Sequence, residues 1–154
     1  MGKWYFDDIP VNSSRTSKAY LVPEAEMVAF AKKWDPQPIH TDREAAEASP
    51  HHRGLIASAT YTVAVAAALS NQLEPMIAVI GASDWKIRFP VPVRPNDSLT
   101  LTCECVHKRE SRTKPDRGVA GFVSTVRNQK GEPVAIWETN ILVPKRKPVV
   151  ADGI

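Results

Sequence analysis

Cysteine is scarce. Cys103 and Cys105 are the two in the chain, and in a strand-like run residues two apart share a face. Their geometry disfavours a disulfide, and they cannot supply four ligands to a metal, so they read as small half-buried residues. Nothing points to an oxidising compartment. No sign of charge dominates: Lys and Arg number 20 against 17 Asp and Glu, a net charge of +3 with a pI near 9.0. That balance is too mild to argue for nucleic acid, though it suits an anionic ligand. The start, Met1-Gly2-Lys3-Trp4-Tyr5-Phe6, lacks the apolar core of a signal peptide. Phe6 stands where an N-myristoylation pattern wants Ser or Thr. A cytoplasmic location is expected. A Gly-rich phosphate loop, a Gly-x-Ser-x-Gly elbow and a dinucleotide fingerprint are all missing, as are internal repeats and low-complexity tracts.

What remains is a chain of 154 residues, 43% hydrophobic and 24% charged, which is enough for one domain over 1–154 with a real core. Arg15 to Val22 suits a strand, after a polar arm through Asp7-Asp8-Ile9-Pro10-Val11. Pro23 opens a helix with Glu24 and Glu26 at its positive end and Lys32 and Lys33 in its last turn. Met27, Phe30, Ala31 and Trp34 recur at i, i+3, i+4 and i+7, one apolar face. Asp42 suits the cap of a short helix through Ala48, and a loop follows from Ser49 to Gly54. Leu55 to Leu73 carries no charge. Polar side chains at Ser58, Thr60, Thr62, Ser70, Asn71 and Gln72 argue against a membrane span. The abundance of alanine suits a long helix of roughly 28 Å buried inside a sheet. Four strands are predicted beyond it, over Asp84–Phe89, Ser98–Lys108, Arg117–Asn128 and Val134–Val143. The class is α+β: one helix covered by a curved antiparallel sheet. The ordered core is expected over about 15–145, with a flexible basic tail from Lys145-Arg146-Lys147 onward.

Chemistry concentrates in Trp34-Asp35-Pro36-Gln37-Pro38-Ile39-His40-Thr41-Asp42. Each proline fixes φ and removes a donor, and each drives the residue before it, Asp35 and Gln37, out of helical geometry. An acid and an imidazole are thereby expected on a stiff, non-helical bend, where proton transfer can be pre-positioned. A plainer reading is open at this level: Asp35 ends a helix and His40 is a loop histidine.

The segment Asp35-Pro36-Gln37-Pro38-Ile39-His40-Thr41-Asp42 resembles the Asp-x-Asn-Pro-(Ile/Leu)-His-x-Asp motif of the MaoC-like dehydratases and (R)-specific enoyl-CoA hydratases. Gly54-Leu55-Ile56-Ala57-Ser58-Ala59 is similar to the family's Ile-Ala-His-Gly segment, and Phe89 to Leu99 to its Phe-x-x-Pro-Val-x-x-Gly-Asp-x-Leu turn. The resemblance implies a hotdog fold, a sheet wrapped around one long helix, as a homodimer or a dimer of dimers. It also implies hydration of a trans-2-enoyl thioester, or the reverse dehydration, with Asp35 and His40 holding a water. The thioester is carried by coenzyme A or by an acyl-carrier protein, and the family needs no further cofactor and no metal. Ala59 matches the family's oxyanion glycine. Gln37, Ser58 and Ala59 depart from its Asn, His and Gly, and are expected to shape the acyl side of the site, with Asp84 and Trp85 beside the acyl tunnel. Arg109, Arg112, Lys114 and Arg117 either receive the carrier's phosphates or form a solvated face. His51 and His52 point to different sides and lack a third ligand, so they read as loop residues. Asp42 is a cap first. The alternatives are a hotdog acyl-CoA thioesterase and a non-catalytic acyl-binding module.

Overall fold

Alternation of buried and outward residues marks the first long strand of the sheet. In β4 (Ser98–Glu110), Leu99, Leu101, Cys103 and Cys105 are buried, while Thr100, Thr102, Glu104 and Val106 face the other way. Both cysteines are free thiols. In this computed structural model, which describes residues 2–146, β4, β5 (Arg117–Arg127) and β6 (Pro133–Pro144) form an antiparallel meander. β3 (Gly81–Arg88) pairs with β6 and closes one edge, and with β1 (Ser14–Thr16) at the other the order is β1-β4-β5-β6-β3. The four strands expected in the second half are all present, within a few residues.

The single strand expected from Arg15 to Val22 is two pieces, β1 (Ser14–Thr16) and β2 (Tyr20–Leu21), both paired with β4. The break has a chemical cause. Ser17 N donates to Leu101 O at 2.8 Å, and its hydroxyl accepts Leu101 N at 3.0 Å. A side chain thus occupies one rung of the ladder.

The helices are α1 (Glu24–Trp34), α2 (Pro38–Thr41), α3 (Arg43–Ala48) and α4 (Ala59–Ser70). Asp42 caps α3 by accepting Ala45 N at 3.1 Å. Met27 and Ala31 are buried beneath α1, but Trp34, assigned to the same face, is 64% exposed.

The long helix is shorter than the uncharged run suggests. α4 spans 12 residues, about 18 Å at the usual rise. The N–H groups of Ile56 and Ala57 go to Ile39 O and Val93 O instead, which holds residues 55–58 out of the helix. Tyr61, Thr62, Val65, Ala66 and Leu69 bury against the sheet, whereas Ala59, Thr60, Ala64 and Ala68 stay exposed. The helix is therefore covered on one side rather than all round.

Two expectations about the ends need correction. The N-terminal arm is no loose extension: Phe6–Asp8 is a 3-10 turn, and Phe6 and Ile9 join the core. The Phe6 ring lies on Gly118, where a Cβ would come within 2.2 Å of it. Lys108 Nζ donates to the carbonyls of Phe6 and Ile9, both at 2.8 Å. At the other end, Lys145 N donates to Asp116 O at 2.8 Å and Arg146 pairs with Asp8 at 2.5 Å. The first two residues of the expected flexible tail are thus tied down, and the rest of it lies outside the described residues. Among the described residues, no helix is long and apolar enough to cross a membrane.

Candidate active site

Asp35 ends α1. Its N–H donates to Ala31 O at 2.8 Å, and its φ and ψ of −155° and 70° take the chain out of the helix. Gln37, also ahead of a proline, is extended at φ −78° and ψ 142°. Both follow from clash with the next proline ring. The bend is not non-helical throughout, however. Pro38 sits at the first position of α2, where its fixed φ suits a helix, and His40 rides on that one turn. The result is stiffer than a loop, and His40 is 6% exposed.

His40 Nδ1 lies 2.8 Å from Ile56 O. A carbonyl only accepts, so Nδ1 carries the proton and the neutral ring presents the Nε2 lone pair. That nitrogen faces Asp35 Oδ2 at 3.5 Å, too far for a good direct hydrogen bond.

Two neutral donors converge on Asp35. Gln37 Nε2 donates to Oδ1 at 2.8 Å and Ser58 Oγ to Oδ2 at 2.7 Å. They hold the Asp35 carboxyl below the usual carboxylate range, Gln37 most and Ser58 next, against an opposing effect of burial and with a smaller contribution from His40. Ser58 is fully buried, so its side chain is turned to Asp35 rather than to an open acyl site, while Gln37 stays exposed with its amide on the same carboxyl.

The distance between α1 and α4 is fixed by Glu26, which accepts Tyr61 OH and Tyr20 OH, each at 2.7 Å. Burial and the Glu26 charge push the Tyr61 hydroxyl far above its ordinary value, so it remains a donor. Phe30 stacks edge-on against Tyr61 at 5.4 Å between centroids. Asp35 at the end of one helix is thereby set against Ser58 at the start of the other.

Ala59 opens α4, exposed, and its N–H donates to no acceptor among the described residues. Such an orphan donor at the positive end of a helix suits a developing anion. From Ala59, the residues Val63, Ala67 and Ser70 follow on roughly one face. About 12 Å along the axis, Ala67 and Ser70 border an apolar cavity of about 320 Å³ that also contacts Leu73, Trp85, Phe122 and Trp137. Asp35 and His40 are not in its wall.

Asp84 and Trp85, adjacent on β3, part company. Trp85 points to the cavity and meets Trp137 edge-on at 4.8 Å. Asp84 accepts from Asn140 N at 3.1 Å and from Asn140 Nδ2 at 3.0 Å, away from the cavity. Successive side chains of a strand alternate, so Trp85 borders this cavity and Asp84 does not. Arg109 is near the end of β4 and Arg112 and Arg117 belong to the hairpin that follows, with Arg117 held by Asp116 at 2.8 Å. The segment 52–57 that leads to Ser58 touches the other end, near Val93 and Arg94. The length of β4, about 40 Å for its residues, separates the three arginines from Asp35 within one chain. His51 is exposed, and among the described residues no cluster of three or more metal-ligating side chains occurs.

Two contributors escaped the sequence reading. Ile56 acts through its carbonyl, which no side-chain pattern reveals. Thr60, 2.7 Å from Ser58 Oγ, had a signal: Ser-x-Thr at a helix start is a capping pattern.

Comparison with known proteins places these features. The family model for the MaoC like domain matches residues 6–128. The chain is 32% identical to a MaoC-like dehydratase from Rhodospirillum rubrum, covering 93% of this chain and 98% of that one with a TM-score of 0.86. Over 141 residues it is 26% identical to the uncharacterized protein YdeM of Bacillus subtilis, covering 90% of this chain and 98% of the relative. The unliganded (R)-hydratase PhaJ1 from Pseudomonas aeruginosa shares the fold, with a TM-score of 0.74 at 22% identity, over 92% of this chain and 86% of that one.

Proposed function

The chain belongs to the MaoC-like domain family, with its hotdog fold, and from that premise we propose that it adds water to a trans-2-enoyl thioester, or removes it from a 3-hydroxyacyl thioester, at Asp35 and His40. The observation that carries this reading is the 3.5 Å interval between Asp35 Oδ2 and His40 Nε2. Both atoms are acceptors, so one water lying beside the pair can donate to each. His40 Nε2 takes a proton from that water as the oxygen forms a bond to C3. The C2=C3 π electrons move toward the thioester, and the enolate oxygen meets the Ala59 N–H. The proton on Nε2 then goes to C2, the carbonyl re-forms, and the pair returns to its starting state. One water is consumed and no net proton. Asp35, already satisfied by Gln37 and Ser58, is the weaker base and orients the water.

The acyl chain runs from Ala59 along Val63 and Ala67 to the cavity beside Trp85. The carrier is coenzyme A or an acyl-carrier protein, and the reaction calls for no further cofactor. A panel of enoyl-CoA substrates of graded length tests the proposal. Loss of the conjugated-thioester absorbance without free thiol is expected, while release of free thiol would identify a thioesterase instead. No change in either signal across the panel would leave an acyl-binding module.

We also infer a homodimer formed through β3. That strand is an unpaired edge, with Trp85, Val79, Ile80 and Met76 exposed on or near it, and such edges are ordinarily covered. Light scattering is expected to give twice the chain mass of 17.0 kDa, and Ile80→Asp to shift it toward the monomer. A monomeric wild type at assay concentration would defeat the dimer. Arg109, Arg112 and Arg117 can serve the carrier's phosphates only where a second copy brings them to the site.

A further inference from the structure

Ser58 has no bonding capacity to spare. A serine hydroxyl has one proton and two lone pairs. The proton goes to Asp35 Oδ2 at 2.7 Å, because a carboxylate only accepts. One lone pair takes Thr60 N at 3.3 Å. The remaining contact, Thr60 Oγ1 at 2.7 Å, must then run from Thr60 to Ser58, since the Ser58 proton is already used. The hydrogen bonds therefore have one direction, Thr60 to Ser58 to Asp35, and a chain so ordered polarises toward its acceptor. Gln37 fills the other carboxylate oxygen from the opposite side.

We propose that Thr60, Ser58 and Gln37 are positioning residues that keep Asp35 ionised and in the one rotamer that faces His40, none of them touching the substrate. This rests on the reading of Asp35 and His40 as the water-holding pair. The family positions marked by Gln37 and Ser58 differ in this chain, yet both substitutes meet on one carboxyl group. That explains how the motif changes without losing its acid. Among the titratable groups of the described residues, the one that faces Asp35 is His40, from α2. α1 contributes the Asp35 backbone, and α4 contributes the neutral Ser58 and Thr60.

The test has two readouts. In protein carrying ¹³C-labelled aspartate carboxyls, the resonance missing from Asp35→Asn identifies Asp35. Its titration midpoint is expected to rise in Ser58→Ala and Gln37→Ala, to rise less in Thr60→Val, and to stay in place in Thr60→Ser. This measurement needs no enzymatic activity, so it stands even if the hydratase reading fails. In the enoyl-thioester assay, Ser58→Ala is expected to lower kcat about tenfold, the scale of one charge-assisted hydrogen bond, with KM little changed and Ser58→Thr restoring most of the rate. An unmoved Asp35 midpoint in both Ser58→Ala and Gln37→Ala would overturn the proposal. So would a rise in KM with kcat intact, which would put Ser58 on the substrate.

Discussion

Exchange of His40 for alanine is expected to lower kcat for enoyl-thioester hydration by about a hundred- to ten-thousand-fold, the range of a positioned acid–base group. Asp35→Asn should fall in the same range, because an amide cannot replace a carboxylate that accepts from Gln37, Ser58 and a water at once. The informative variant is the double one. Groups that act on one water form a unit, so Asp35→Asn/His40→Ala should lose little beyond either single change. Multiplying losses would mean that the two residues act on different steps. The measurement is the initial rate of absorbance loss at saturating substrate. Circular dichroism should accompany it, because removing His40 also strands the buried Ile56 carbonyl.

The largest effect on stability is expected at Phe6. The ring is 7% exposed and rests against Gly118. Phe6→Ala removes a buried aromatic, a change that ordinarily costs about 3–5 kcal/mol. For a chain of this length that corresponds to a fall in Tm of about 6–20 °C. Gly118→Ala should act in the same direction from the other side, by pushing the ring out of its seat. Differential scanning calorimetry of both would check this, and a Tm unchanged in Phe6→Ala would mean that the N-terminal turn is not part of the cooperative core.

Much of the sheet is legible because its information is local and periodic. Leu99, Leu101, Cys103 and Cys105 each point the same way for the same reason, and the turn residues after β5 sit where hairpins need them. Asp35 and Gln37 are also legible, since a following proline restricts each by sterics alone. What was hidden depends on distant carbonyls. Nothing in Leu55-Ile56-Ala57 says that its N–H groups will pair with Ile39 and Val93, and that pairing shortens the helix that composition suggests. The break at Ser17 is likewise a side chain standing in for backbone. The bonds of Gln37 and Ser58 are not legible, because the motif gives positions, not directions. Only the structure shows that both side chains donate to Asp35. The burial of Phe6 is not legible either, because its seat, Gly118, is featureless in sequence.

That seat also has a history during synthesis. Lys108, which grips the Phe6 carbonyl, lies 102 residues downstream of it. At roughly 5–20 residues per second, a growing chain leaves Phe6 and Ile9 without their partners for about 5–20 s. The turn around Phe6 is therefore made well before the strands that seat it. For that interval two core residues are presented to whatever binds nascent apolar segments. Arg146, arriving with the end of β6, then closes the clasp on Asp8.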